Sequence, residues 1–239
     1  MTNSDGWKSK EAANHYISLA DVLIPYRNEI LDIIATLAAD NYRPGTKIID
    51  LGCGNGELTE RILKKNSQPQ IIMVDYSQVM LEECKKRFSA LKNISLICHD
   101  LNKGLPKTIF SEGYSVAVSC FVLHHVDIPK RLPLCSSIRQ LLLNDGLFIN
   151  GDRFIEETPK ISDWAFDRWM NWMVQSVRQN MAKEVTFQEI KKKQLELDKK
   201  QGDMPGTMSQ MREDLKQAGF KEVFTLWKSY VHGIMAALR

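Results

Sequence analysis

The chain has 239 residues, 44% hydrophobic and 26% charged, with a formal net charge of +3. That composition suits one α/β domain with a sizeable core, and the charge argues against a nucleic-acid partner, whose footprint needs clustered basic residues. No apolar run approaches the roughly 20 residues of a membrane span. Residues 1–10 are polar and lack the apolar core of a signal peptide, and five cysteines without metal-type spacing fit reduced thiols. A cytoplasmic protein with no membrane contact and no metal is expected.

A helical pattern over residues 11–39, interrupted at Pro25, precedes Pro44-Gly45. Residues 46–51 read as a buried strand and 57–66 as a helix. Residues 70–75, Gln-Ile-Ile-Met-Val-Asp, form the second predicted strand, and 78–91 a charged amphipathic helix. The third strand, 94–98, leads into His99-Asp100. The fourth spans 114–120, a helix follows over 129–143 and ends near Asn144-Asp145-Gly146, and the fifth strand covers 147–154. Strands alternating with helices at this spacing predict a parallel sheet with helices on both faces. Cys98 and Cys120 fall in apolar strand runs, where a thiol behaves as a small hydrophobe.

After Phe154 the rhythm changes. Residues 161–181 carry Ala165, Trp169, Trp172, Met173, Ser176 and Val177 on one helical face. Thr186-Phe187-Gln188-Glu189 reads as a capping box opening a helix through Lys200. Lys191, Lys192, Lys193, Lys199 and Lys200 interleave with Glu196 and Asp198, as a solvated helix face does. A loop over 202–206 and a helix from about Met208 to a C′ glycine, Gly219, lead to two strands, 221–229 and 231–238, close enough to pair antiparallel.

The chemistry-bearing signal lies at Asp50-Leu51-Gly52-Cys53-Gly54-Asn55-Gly56, where the first strand feeds a helix. Glycines there let the backbone turn sharply and come into contact with a ligand. The dinucleotide fingerprint would need glycine at 57, where this chain has Glu57. The D-x-G-x-G-x-G pattern resembles the cofactor loop of class I S-adenosylmethionine (SAM)-dependent methyltransferases of the small-molecule type. The resemblance runs from about Gly45 to the C-terminus, with Gln217-Ala218-Gly219-Phe220 similar to that family's approach to its final hairpin. It implies a Rossmann-like seven-stranded sheet, mostly parallel, with an antiparallel C-terminal hairpin. One domain would then comprise an N-terminal helical cover (1–44), a SAM-binding core (45–155), a helical insertion (156–206), and a C-terminal helix and hairpin (207–239).

The resemblance also implies residue roles. Asp50 would accept from the cofactor's amine, with Gly52, Cys53, Gly54 and Gly56 forming the loop. Asp75 would bond both ribose hydroxyls with Tyr76 packing on the cofactor, while Ser77 reads as a helix cap. Asp100 and Leu101 would meet the adenine, although a loop acid also caps local amides. Cys120 would lie beside the methionyl part. Tyr26 or Arg27, beside Tyr16 in the N-terminal segment, would touch the cofactor carboxylate or the substrate. His124 and His125, in Leu-His-His-Val after the fourth strand, are the candidate catalytic residues, as a general base or as hydrogen-bonding groups.

Phe154 with Trp164, Trp169 and Trp172 has three readings: a lid over the acceptor pocket, ordinary packing, or a homodimer face. The implied reaction moves a methyl group from SAM to a small-molecule acceptor, leaving S-adenosylhomocysteine. The layout is most similar to the carboxy-S-adenosylmethionine synthase branch, which holds its extra carboxylate with an arginine before the Ala-Gly-Phe turn. Asp214 stands at that position here, with Arg212 out of phase on the helix. An aspartate repels a carboxylate, so an ordinary methyl donor is the primary reading, and a carboxy-SAM synthase or a non-catalytic SAM-binding protein the alternatives.

Overall fold

The structure is a computed structural model that describes residues 10–239, the side chains of residues 12–16 excepted. Residues 1–9 and the side chain of Tyr16, both named above, lie outside the described residues. Strand alternation builds two cores. In β1 (Lys47–Leu51), Ile48 joins one apolar cluster while Ile49 and Leu51 join the other, all without solvent exposure. A strand buried on both faces must be apolar at nearly every position, which is why 48–51 reads as an unbroken run interrupted only by Asp50.

The sheet has seven strands in the order β3 (Ile94–Cys98), β2 (Gln70–Asp75), β1, β4 (Tyr114–Cys120), β5 (Leu142–Arg153), β7 (His232–Leu238) and β6 (Glu222–Ser229). The first five are parallel, and β7 runs antiparallel to both of its neighbours. Helices α2 (Arg27–Asp40), α3 (Glu57–Lys65) and α4 (Gln78–Arg87) cover one face. Helices α5 (Ile128–Leu141) and α8 (Met208–Gln217) cover the other. This is the mostly parallel sheet with an antiparallel end that the sequence predicts.

A third cluster joins α1 (Lys10–Leu23), α6 (Pro159–Met181) and α7 (Phe187–Gln201), with Trp169, Met170 and Met173 of α6 at its centre. The Trp169 indole N–H donates to the Leu23 carbonyl at 2.9 Å, fastening the insertion to the N-terminal cover. The capping box forms as predicted, with Thr186 and Glu189 each bonding the other's backbone.

Two expectations are corrected, and among the readings of the aromatic residues packing is found for two of them. The fifth strand begins at Leu142, not Leu147: Leu142 pairs with Tyr114, and the register then shifts across Asn144-Asp145-Gly146, with Asp145 at φ +57°. A bulge, rather than the end of a helix, uses those turn residues. Cys98 is exposed because it ends the edge strand β3. Phe154 and Trp169 are buried packing residues, whereas Trp164 is 54% exposed against Tyr230. Replacing Trp169 by alanine is expected to cost about 3–5 kcal/mol in chemical denaturation, and Trp164→Ala less than about 1 kcal/mol.

Candidate functional site

Strand order reverses between β1 and β4, and the crevice outside the carboxyl ends of an open parallel sheet forms at such a point. The glycine loop fills its β1 side. Gly52 has φ +74°, and a Cβ there would lie 2.3–2.9 Å from the Val122 side chain. Gly54 has φ +52°, and its missing Cβ would face open space. Gly56 stands at the N-cap of α3. The loop is tied to β2 by its acid: Gly54 N–H donates to one Asp75 oxygen at 2.9 Å, and Ser77 N–H to the other at 2.8 Å. Each oxygen keeps lone pairs for further donors. Burial raises the Asp75 pKa even so.

Asp50 is 1% exposed and accepts from the Thr59 hydroxyl at 2.7 Å. Burial pushes its pKa up to about 7, the Thr59 bond opposing and Asp75 adding to the rise. A carboxylate in that state gains from a cationic ligand beside it. Cys53 is buried with Cys84, whose Sγ lies 3.0 Å from the Gly54 carbonyl. Burial and the neighbouring Cys84 raise the Cys53 thiol. At the end of β4, burial likewise raises the Cys120 thiol, with Arg27 opposing.

Tyr26 and Arg27 part company. Tyr26, at φ +57° and 48% exposed, packs edge-on against Trp227 of β6. Arg27 is buried and bridges Asp21 to Glu57, both at 2.7 Å, the latter at the first residue of α3. Of the pair, the structure brings Arg27 to the glycine loop and Tyr26 away from it. Asp100 accepts from Asn102 N–H at 2.9 Å, the local capping weighed above, and Leu101 is buried beside it. Tyr76 follows Asp75, with its carbonyl 3.6 Å from Cys98 Sγ.

The β4 side of the crevice is polar and buried. His124 Nδ1 lies 2.5 Å from Asp152 Oδ1, and the other Asp152 oxygen accepts from His124 N–H at 3.2 Å. Asp203, from the 202–206 loop, places Oδ1 3.0 Å from His125 Nδ1 and Oδ2 3.9 Å from His124 Nε2. Arg153 makes a two-pronged bond to Asp198 at 2.6 and 2.8 Å, lies 3.3 Å from Asp203, and stacks on Trp169 at 4.8 Å. Burial lowers the His124 pKa, but the Asp152 and Asp203 carboxylates more than offset it, so the net shift is upward. His125 is lowered by burial and by His124. Burial tends to raise the Asp203 carboxyl, yet its histidine and Arg153 neighbours hold it below the ordinary range. Behind them, burial pushes His232 down to about 3.

Several of these groups escape sequence reading. Asp152 and Arg153 end β5 as Asp75 ends β2, a strand-end position that could have flagged them. Asp203 and Asp198 carry no local signal, because only the packing of α7 against β5 brings them in. Asp214, 8% exposed, lines the small crevice under His124 with Arg131, Asp152 and Gln210, which leaves room for about one water. Arg212 points away, donating to the Val223 carbonyl and Thr225 hydroxyl of β6.

Residues 48–146 match a family model described as a methyltransferase domain. Over those residues the chain is similar to methyltransferase domains. A carboxy-S-adenosyl-L-methionine synthase of Shewanella piezotolerans is 28% identical over 85% of this chain and 80% of its own length. The Actinobacillus pleuropneumoniae protein of the same name is 26% identical over 90% and 86%. Among solved structures, the pyocyanin biosynthetic protein PhzM superposes with a TM-score of 0.65 at 18% identity, covering all of this chain and 61% of its own. Human N-acetylserotonin methyltransferase, in complex with SAM, gives 0.61 at 15%, covering all of this chain and 59% of its own. The chain thus spans about three fifths of these two structures, which share its fold.

The glycines separate stability from access. Gly52→Ala combines a left-handed conformation with a clash and is expected to cost about 2–4 kcal/mol, read as a fall in melting temperature. Gly54→Ala should cost only the backbone part, about 1–2 kcal/mol.

Proposed function

We propose that this protein is an enzyme that transfers a methyl group from SAM to the O, N, S or C nucleophile of a small-molecule acceptor. The observation that carries the reading is the pair of strand-end carboxylates, Asp50 buried and Asp75 half-buried, meeting across the glycine loop. Asp50 suits the amine of an amino-acid moiety, and Asp75, already fixed by two amides, suits a pair of ribose hydroxyls. Gly54 leaves open space at the loop, and Arg27 is a cation beside the loop for a carboxylate, with Asp21 and Glu57 as its present partners. We also assign Cys53, Tyr76, Leu101 and Cys120 to the walls of this site, and Asp100 to the adenine. Bound there, SAM supplies an electrophilic sulfonium methyl.

The chain's own task is then alignment, which can contribute several kcal/mol, up to roughly 10. His124, held by Asp152, and His125 are the groups assigned to the acceptor's polar atom. The Leu123–His125 turn that carries them is pinned by Met204 N–H bonding the His124 carbonyl at 2.8 Å. The 202–206 loop therefore belongs to the acceptor side.

The relatives' name favours a second reading, a carboxy-SAM synthase. A carboxylated cofactor needs a free cation where this chain buries Asp214, and Arg212 is committed to β6. An ordinary methyl donor fits the residues better.

Asp75→Ala is expected to weaken SAM binding at least tenfold by calorimetry while the fold persists; unchanged affinity removes the placement. Asp50 provides a pH test. A cation favours its ionised form, so SAM affinity should fall roughly fivefold to tenfold from about pH 7.5 to about pH 6. Asp50→Asn should flatten that slope. With an acceptor found by screening for S-adenosylhomocysteine release, His124→Ala and His125→Ala should each lower turnover about a hundredfold or more, and full turnover in both removes their role.

A further inference from the structure

We propose that His124, His125 and Asp203 form a binding site for one divalent transition-metal cation. The inference goes beyond the methyl-transfer reading and does not depend on it. One ligand atom from each residue lies within 4.8 Å of the others, and among the described residues this is the one group of histidine, cysteine and carboxylate side chains so arranged. The Asp203 side chain is 5% exposed, and its Oδ1 lies 3.0 Å from His125 Nδ1.

The surrounding shell fits a metal site. Asp152 holds His124 Nδ1 at 2.5 Å, so Nε2 is the ring atom left facing Asp203, and a carboxylate behind a ligating imidazole is the usual support for a metal. Arg153 approaches Asp203 Oδ2 at 3.3 Å, which leaves Oδ1 for the cation. Across this cluster the carboxylates of Asp152, Asp198, Asp203 and Asp214 outnumber the guanidinium groups of Arg131 and Arg153 by two, an excess that one divalent cation cancels. His125 is 22% exposed and provides the way in.

Two imidazole nitrogens and one carboxylate oxygen suit zinc, iron, cobalt, nickel or manganese, whereas calcium and magnesium prefer all-oxygen shells. Three protein ligands leave at least one coordination position open. A hydroxyl or thiol of an acceptor placed there would lose its proton more readily, so the metal would take over the task assigned above to a histidine base.

The test uses the full chain, stripped with a chelator and titrated with Co2+ and with Zn2+ in the absence of cofactor and acceptor. One equivalent should bind, and the cobalt form should show ligand-field absorption without an intense thiolate band. Asp203→Asn and His125→Gln should each weaken binding about a hundredfold, and Asp152→Asn about tenfold to a hundredfold, with Cys98→Ser unchanged. Circular dichroism and melting establish that each variant is folded. If Asp203→Asn does not fold, His125→Gln, at the exposed position, decides. Substoichiometric binding, a thiolate band, or wild-type affinity in the decisive folded variant overturns the site.

Discussion

Carboxylates at the ends of buried parallel strands must find donors or positive charge, and this structure is organised by how each of them does so. Asp75 takes two backbone amides and thereby fixes the glycine loop to the start of α4. Asp152 takes His124 and so fixes the turn after β4 to β5. Asp50 has the Thr59 hydroxyl, and burial pushes it to about pKa 7. A cationic ligand beside that carboxylate gains from its burial. The proposed donor site rests on that carboxylate as much as on the glycines, which supply the backbone shape and the clearance.

Much of this was readable beforehand because it is local. The bounds of β2, β3 and β4 follow from apolar runs closed by a polar or turn residue, and the Thr186–Glu189 cap from spacing alone. Asp50 and Asp75, the acids proposed to hold the donor, sit where a strand meets a turn and can be named from the sequence. What was not readable depends on distance in the chain. Asp203 reaches the two histidines only because the insertion folds back over β5. Arg27 rather than Tyr26 faces the loop because Tyr26 takes a left-handed conformation at the α2 cap and turns toward Trp227. Cys98 reads as core in a one-dimensional pattern but is exposed, since nothing in its own segment says that β3 is an edge.

The same contrast governs the chemistry. In the proposed reaction, methyl transfer disperses the charge on sulfur and can rest on alignment, so the proposed donor side is built from local motifs and the proposed acceptor side from groups that only tertiary packing assembles. That division explains why relatives named for making a carboxylated cofactor and structural neighbours named as methyltransferases fit the same sheet. Asp214 and Arg212 carry the difference for this chain: one is buried under His124 and the other is spent on the hairpin.

The central claim is that the loop between Asp50 and Asp75 takes ordinary SAM. Calorimetric titration of the same protein with SAM and with its carboxylated form tests it most directly. The account predicts that SAM binds at least about tenfold more tightly, a difference of about 1.4 kcal/mol. Tighter binding of the carboxylated form, or binding of neither, would contradict it.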